Sequence, residues 1–121
     1  MISTACALSQ WLQQFGLPVY TVADVPDDAV VPYITIPLNE PEWDQKASFY
    51  IQPWYRSVSN LELMQKADEI TAAIGQGVVI PCTGGHIAIW PENPMQQLMV
   101  DGDFRSIYIN LSINAYHMPG I

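Results

Sequence analysis

Ile107-Tyr-Ile-Asn-Leu-Ser-Ile-Asn114 alternates without a break. Ile107, Ile109, Leu111 and Ile113 take one side of an extended chain, and Tyr108, Asn110, Ser112 and Asn114 take the other. Successive side chains of a strand point to opposite faces. The run therefore predicts a long strand with an apolar face for the core and a second face that is polar but uncharged. Working backwards, Asp101-Gly102 is a turn signal, and residues 97–100 and 86–90 read as two short strands. Residues 78–82 make a third, joined to 86–90 through the tight-turn sequence Thr83-Gly-Gly85.

Earlier in the chain, residues 46–55 alternate as well. Ala47, Phe49 and Ile51 share one face, and Ser48, Tyr50 and Gln52 the other. Pro53 has no N–H for a central ladder, which predicts an edge strand or a bulge at that point. Residues 33–36 are a short strand candidate between prolines, and residues 37–45 have no period of either kind and read as a long hairpin loop.

Two stretches carry the helical period. Ser59-x-x-Glu62 is a capping box, Val58 and Leu63 can staple it, and Leu63, Ala67, Ile70 and Ile74 recur at the spacing of one buried stripe before Gly75 and Gly77. Near the start, Ser3 or Thr4 is a capping candidate for a helix of about 12 residues, whose Ala5, Leu8, Leu12 and Phe15 paint one face with Trp11 at its edge. Gly16 and Pro18 end it. The expected architecture is α+β, with two main helices packed on one face of a mostly antiparallel sheet of about four to six strands. Residues 1–121 are expected to form a single domain.

Composition narrows the function. Half of the 121 residues are hydrophobic and only 13% are charged, which is far from the composition of a disordered chain. Four basic residues against twelve acidic ones give a formal charge of −8, so the basic footprint of a nucleic-acid or anionic-membrane binder is absent. The longest apolar runs, at 5–8, 78–80 and 87–90, fall far short of the ~20 residues needed to span a bilayer. The first residues lack the basic and apolar regions of a signal peptide. Cys6 and Cys82 stand far apart and outside any metal-type cluster, so two reduced thiols in a cytoplasm are expected.

Candidate chemistry is sparse. His86 and His117 are the only histidines, which rules out a multi-histidine metal site, and HExxH is absent. Cys82 and His86 would be a nucleophile and base only if the strand–turn–strand unit brought them together, and a buried, inert Cys82 is the expectation. The glycine clusters at 75–77 and 83–85 do not open a helix after a strand, as phosphate cradles do. Asp101-Gly-Asp103 lacks the remaining ligands of a calcium loop. No catalytic residue, metal or cofactor is assigned.

The aromatic residues say more. Trp43 stands among Glu40, Glu42 and Asp44 in the polar loop, and Trp54-Tyr55-Arg56 closes the proline-bearing strand. Trp, Tyr and Arg dominate the hot spots of protein–protein interfaces because they are large, stiff and amphipathic. Glu40, Glu42, Trp43, Asp44, Trp54, Tyr55 and Arg56 are therefore the candidate partner-interface residues. For Trp54, as for Trp90, closing an end of the core is the competing role. Trp43 stands equally for core cover or partner contact.

A resemblance spans nearly the whole chain. An amphipathic N-terminal helix precedes Val31-Pro-Tyr-Ile-Thr-Ile-Pro37. After the polar loop come Phe49-Tyr-Ile-Gln-Pro-Trp-Tyr-Arg-Ser57 and a helix holding Ala67-Asp-Glu-Ile70, and the chain ends in an Asp-Gly turn and a long alternating strand. This order is similar to that of the tail terminator, or tail-completion, proteins of long-tailed bacteriophages and related prophages. The resemblance implies an α/β structural protein of the virion, made in the host bacterial cytoplasm, that assembles as a homo-oligomeric ring, typically a hexamer. Such a ring stops tail-tube growth and docks the tube to the head–tail connector protein, and it has no catalytic residues. By position, the 37–46 loop would match the hairpin loop that contacts neighbouring subunits or the tail tube. Surplus carboxylates lining a ring would repel passing DNA over a Debye length of ~8 Å at physiological salt, provided Lys46, Arg56 or Arg105 did not line the pore. Other neck, head-completion or minor capsid proteins share this character. A different reading is a small-molecule binding module with a pocket between the second helix and the sheet, near Trp54 and Trp90.

Overall fold

The computed structural model describes residues 2–37, 45–56 and 60–117. Its organising element is the alternating strand at the C-terminal end, which has a long strand on either side. In chain order the elements are α1 (Ile2–Leu12), β1 (Val19–Thr21), β2 (Tyr33–Ile36), β3 (Lys46–Arg56), α2 (Leu61–Ile74), β4 (Val78–Cys82), β5 (Gly85–Asp101) and β6 (Phe104–His117). The sheet order is β1-β2-β3-β6-β5-β4. All pairs are antiparallel except β1–β2, which is parallel.

This corrects the expected architecture. Strand makes up 51% of the described residues, and the sheet is a six-stranded mixed half-barrel with only two short helices, not two main helices on a sheet. The physical reason lies largely in β5. Residues 86–90 and 97–100 are not separate strands but parts of one 17-residue strand. The prolines and polar residues between them, Pro91-Glu-Asn-Pro94, look like a turn in sequence, but here they form an irregularity between Pro91, opposite Leu111, and Gln96, opposite Ile109. Asn110 on β6 holds the detour, donating through Nδ2 to the Pro94 carbonyl at 2.9 Å and to Gln97 Oε1 at 2.8 Å.

Two smaller expectations also fail. β3 is interior, between β2 and β6, although Pro53 argued for an edge or a bulge. The β3–β6 ladder is interrupted at Gln52 and Pro53, where proline has no N–H to give, and it resumes at Trp54↔Ser106. α1 begins at Ile2, so Ser3 and Thr4 lie within its first turn and not at the position before it. Of the proposed box and staple on α2, Val58 and Ser59 lie outside the described residues, and Asn60 precedes the helix without a side-chain cap.

The core forms where the apolar stripes meet. Leu8, Leu12 and Phe15 from the first helical segment and Leu63, Ala67, Ile70 and Ile74 from α2 pack against Ile34, Ile36, Phe49, Ile51, Ile87, Ile89 and the odd-numbered residues Ile107–Ala115 of β6. Each fully buried Ile or Leu contributes roughly 1.5–3 kcal/mol over leaving it in water. Lys66 ties the two helical segments together, donating to the Phe15 carbonyl at 2.8 Å and to Glu69 at 2.9 Å. The β5–β6 turn is two residues long, and Gly102, at φ 59, takes the conformation a side chain would resist.

Candidate interaction surface

The strict alternation of β3 and β6 that builds the core also builds a second face, on which neither α1 nor α2 packs. Tyr50, Gln52 and Trp54 on β3 share it with Ser106, Tyr108, Asn110 and Ser112 on β6, in the register Tyr50↔Asn110 and Trp54↔Ser106. Met99, opposite Ser106, joins from β5, and Thr35, opposite Gln52, from β2. This face is made of aromatic and uncharged polar groups, and its partners are mutual. Trp54 Nε1 donates to Thr35 Oγ1 at 3.0 Å, Thr35 Oγ1 donates to the Gln52 carbonyl at 3.4 Å, and Gln52 Nε2 donates to Ser106 Oγ at 3.0 Å. Gln52 is 3% exposed and Ser106 0%. Buried polar groups joined in this way fix a single arrangement, because each would be costly to leave unpaired. Tyr50 and Tyr108 meet edge to face at 5.0 Å, and Tyr20 and Tyr33 do the same at 5.6 Å. Ser112 donates to Glu92, which projects from the β5 irregularity.

Two phenols sit where water is scarce. Burial pushes the Tyr50 hydroxyl above its ordinary value, and the neighbouring Tyr108 adds to the rise. Burial also raises Tyr55; Lys66 opposes the shift while Glu62 and Glu69 reinforce it. A phenol that resists ionisation in the fold and ionises freely in the unfolded chain contributes stability that is fully present below the unfolded pKa, about 10, and is lost as pH rises through the higher folded value. The urea midpoint is therefore expected to fall between pH 8 and pH 10.5, and Tyr55→Phe is expected to lessen the fall. An equal fall in the variant would remove Tyr55 from the account.

Beside the sheet face, at the far end of β3, lies a cleft of about 410 Å³ lined by Ala29, Val30, Val31, Pro32, Tyr55, Arg56, Glu62 and Phe104. The Arg56 guanidinium lies 4.8 Å from the centroid of the Phe104 ring. A third feature is an open edge. β4 pairs with β5 only as far as Ile89, so among the described residues β5 beyond that point is laddered to β6 alone. Leu98 and Val100 on this stretch are exposed, as are Leu61 and Met64 on α2, while Gln96 donates to Asp68 and Thr71 and so ties α2 to β5. An unpaired edge with apolar side chains is a template for another chain.

Of the residues proposed from sequence, Tyr55 and Arg56 come together in the cleft, and Trp54 lies on the open sheet face, half-buried and hydrogen-bonded. The described cleft lies between the sheet and the start of α2 and is lined by neither Trp54 nor Trp90, the tryptophans near which a pocket was expected. Glu40, Glu42, Trp43 and Asp44 lie outside the described residues. Sequence reasoning missed Phe104 and residues 29–32, which become neighbours of Arg56 only through the β3–β6 register and the approach to β2. Tyr50 and Tyr108 were legible as the polar partners of the alternation, but their contact was not.

Cys82 and His86 do not meet. Cys82 packs against the core, whereas His86 pairs with Pro81 across the hairpin and stacks on Tyr116 at 5.0 Å. Cys82 and Pro81 are consecutive, so they face opposite sides of the sheet. Cys6 is exposed and Cys82 is half-buried. Alkylation of the native protein is expected to label Cys6 at least tenfold faster than Cys82, with the two rates converging in urea. Equal native rates would contradict the placement of Cys82 against the core. Among the described residues no three His, Cys, Asp or Glu side chains gather as a metal site, and no helix is long and apolar enough to cross a membrane.

No family model and no curated protein matches the chain. A solved structure named only by a sequence identifier is similar to it over 98% of this chain and 94% of that one, with a TM-score of 0.56 and 15% identity. At that identity the likeness concerns the fold alone, which it shares nearly end to end.

Proposed function

We propose that this protein is a ring-forming assembly protein of a tailed-phage or prophage virion, of the tail-terminator kind, which caps the tail tube and joins it to the head connector. The observation that carries the reading is the sheet face on which neither helix packs. It presents interlocked aromatic and uncharged polar side chains, with the open β5 edge and the Arg56 cleft at its margins. Surfaces rich in Tyr, Trp and stacked Arg are those that proteins use to hold one another. The resemblance in sequence supplies the particular assembly. Another neck or head-completion protein would draw on the same surfaces. The cleft itself favours a second reading, a small-molecule binding module, because its volume falls within the range of ligand pockets.

Negative-stain imaging of the protein mixed with tail tubes of the encoding phage tests the first reading. The expected result is a ring at one end of each tube and arrest of further growth. Tubes that stay uncapped and continue to lengthen would overturn it.

A further inference from the structure

We propose that the cleft at the end of β3 binds a small apolar zwitterion, a free amino acid or a dipeptide, whose carboxylate meets Arg56 and whose ammonium meets Glu62. The inference rests on the second reading above, that the cleft takes a small molecule, and is independent of the assembly reading.

The cleft is built where residues 29–32, ahead of β2, approach the end of β3, the first residue of β6 and the first turn of α2. Ala29, Val30, Val31, Pro32 and the rings of Tyr55 and Phe104 make most of its wall apolar. Val30 is 78% exposed, so a guest that covers it removes apolar surface from water.

The two remaining side chains carry opposite charges, and the fold holds them apart. Tyr55 and Arg56 are consecutive on β3 and leave the strand on opposite sides. Arg56 lies against Phe104, 4.8 Å from the ring centroid. Glu62 belongs to the side of Tyr55: burial is the main cause of the raised Tyr55 pKa, and Glu62 is close enough to add to it. The cleft rounds the end of the strand and so has one charge on each side. Both side chains are exposed, and among the described residues neither forms an ion pair, whereas Lys66 is engaged by Glu69.

The two charges set the chemistry of the guest. Glu62 is in the first turn of α2, where the helix dipole favours the ionised carboxylate. A guanidinium lying against an aromatic ring keeps the N–H donors of its edge free, and they match the two oxygens of a carboxylate. A purely anionic guest would meet Glu62, and a purely cationic one would meet Arg56. A molecule with both signs satisfies both, and its apolar body covers the wall between them. The volume of about 410 Å³ stands at the small end of the range for ligand pockets, which suits a guest of this size.

NMR titration of the full chain with L-phenylalanine and with leucyl-phenylalanine tests the proposal. Each is compared with its N-acetylated form, its C-amidated form and the doubly blocked form, which has neither charge. The expected result is saturable shifts of the Val30, Val31, Arg56 and Phe104 amides with a zwitterion, and binding at least tenfold weaker for each singly blocked form. Whether the amino acid or the dipeptide binds more tightly identifies the source. Arg56→Gln is expected to abolish the preference for a free carboxylate, and Glu62→Gln the preference for a free ammonium, each with an unchanged urea midpoint. Equal binding of the doubly blocked form would overturn the zwitterion and spare the small-molecule reading. Unmoved cleft amides with every form would overturn both, as would saturable shifts confined to another part of the molecule.

Discussion

Ile109→Asp is expected to abolish the folded state. Ile109 is 0% exposed and sits midway along β6, with Ile51 of β3 on one side and Gln96 of β5 on the other. Removing its side chain alone forfeits about 2–5 kcal/mol, as large-to-small core substitutions do. The carboxylate then has to be buried without a partner or be protonated, which costs several kcal/mol more. A domain of this size has roughly 5–15 kcal/mol in total. Far-UV circular dichroism and urea titration would read the loss. The Ile109→Val control is expected to fold normally, at a cost of about 1 kcal/mol. A cooperatively folded Ile109→Asp protein with a native urea midpoint would mean that β6 is not the centre of the sheet.

Trp43→Ala is expected to have the opposite profile, with its melting temperature within about 2 °C of the parent and its self-association or tube docking weakened thirtyfold or more. The magnitude is that of a hot-spot residue, ≥ 2 kcal/mol on truncation. Scanning calorimetry and light scattering on the same samples separate the two quantities. A large fall in melting temperature would instead assign Trp43 to the core of its own chain. Trp54→Ala provides the contrast. Trp54 is half-buried and donates to Thr35, so its loss is expected to reduce stability before it affects association.

How much could be read from sequence varied with the physics of each element. The stripe Leu63, Ala67, Ile70, Ile74 is buried as its spacing demanded, and the alternation of β6 marked Ile109 and Leu111 as core. In both cases a single periodicity is enforced by a single apolar surface. β5 was broken in two because Pro91 and Pro94 are turn residues in isolation, and only the side chain of Asn110, from another strand, carries the chain across. β1 is three residues long and pairs in parallel with β2, a non-local contact with no local signature. Underestimating β5 and omitting β1 made the helices look like the main elements of a molecule that is mostly sheet. The site followed the same pattern: Trp54, Tyr55 and Arg56 were picked out by residue type, but their partners Thr35 and Phe104 depend on register, which no stretch of sequence states on its own.

The two-residue turn between β5 and β6 also bears on the order in which the molecule is made. That hairpin closes over a short loop and sacrifices little chain freedom, whereas β3 reaches β6 only across α2, β4 and β5. The hairpin is placed to act as the early template, with β3 recruited next and β1 and β2 added last, along a margin held by few ladder bonds. Amides of β1 and β2 should then exchange with deuterium sooner than those of β6. The cleft beside Arg56 borders this soft margin, so a partner that fills it would also brace the last-formed part of the sheet.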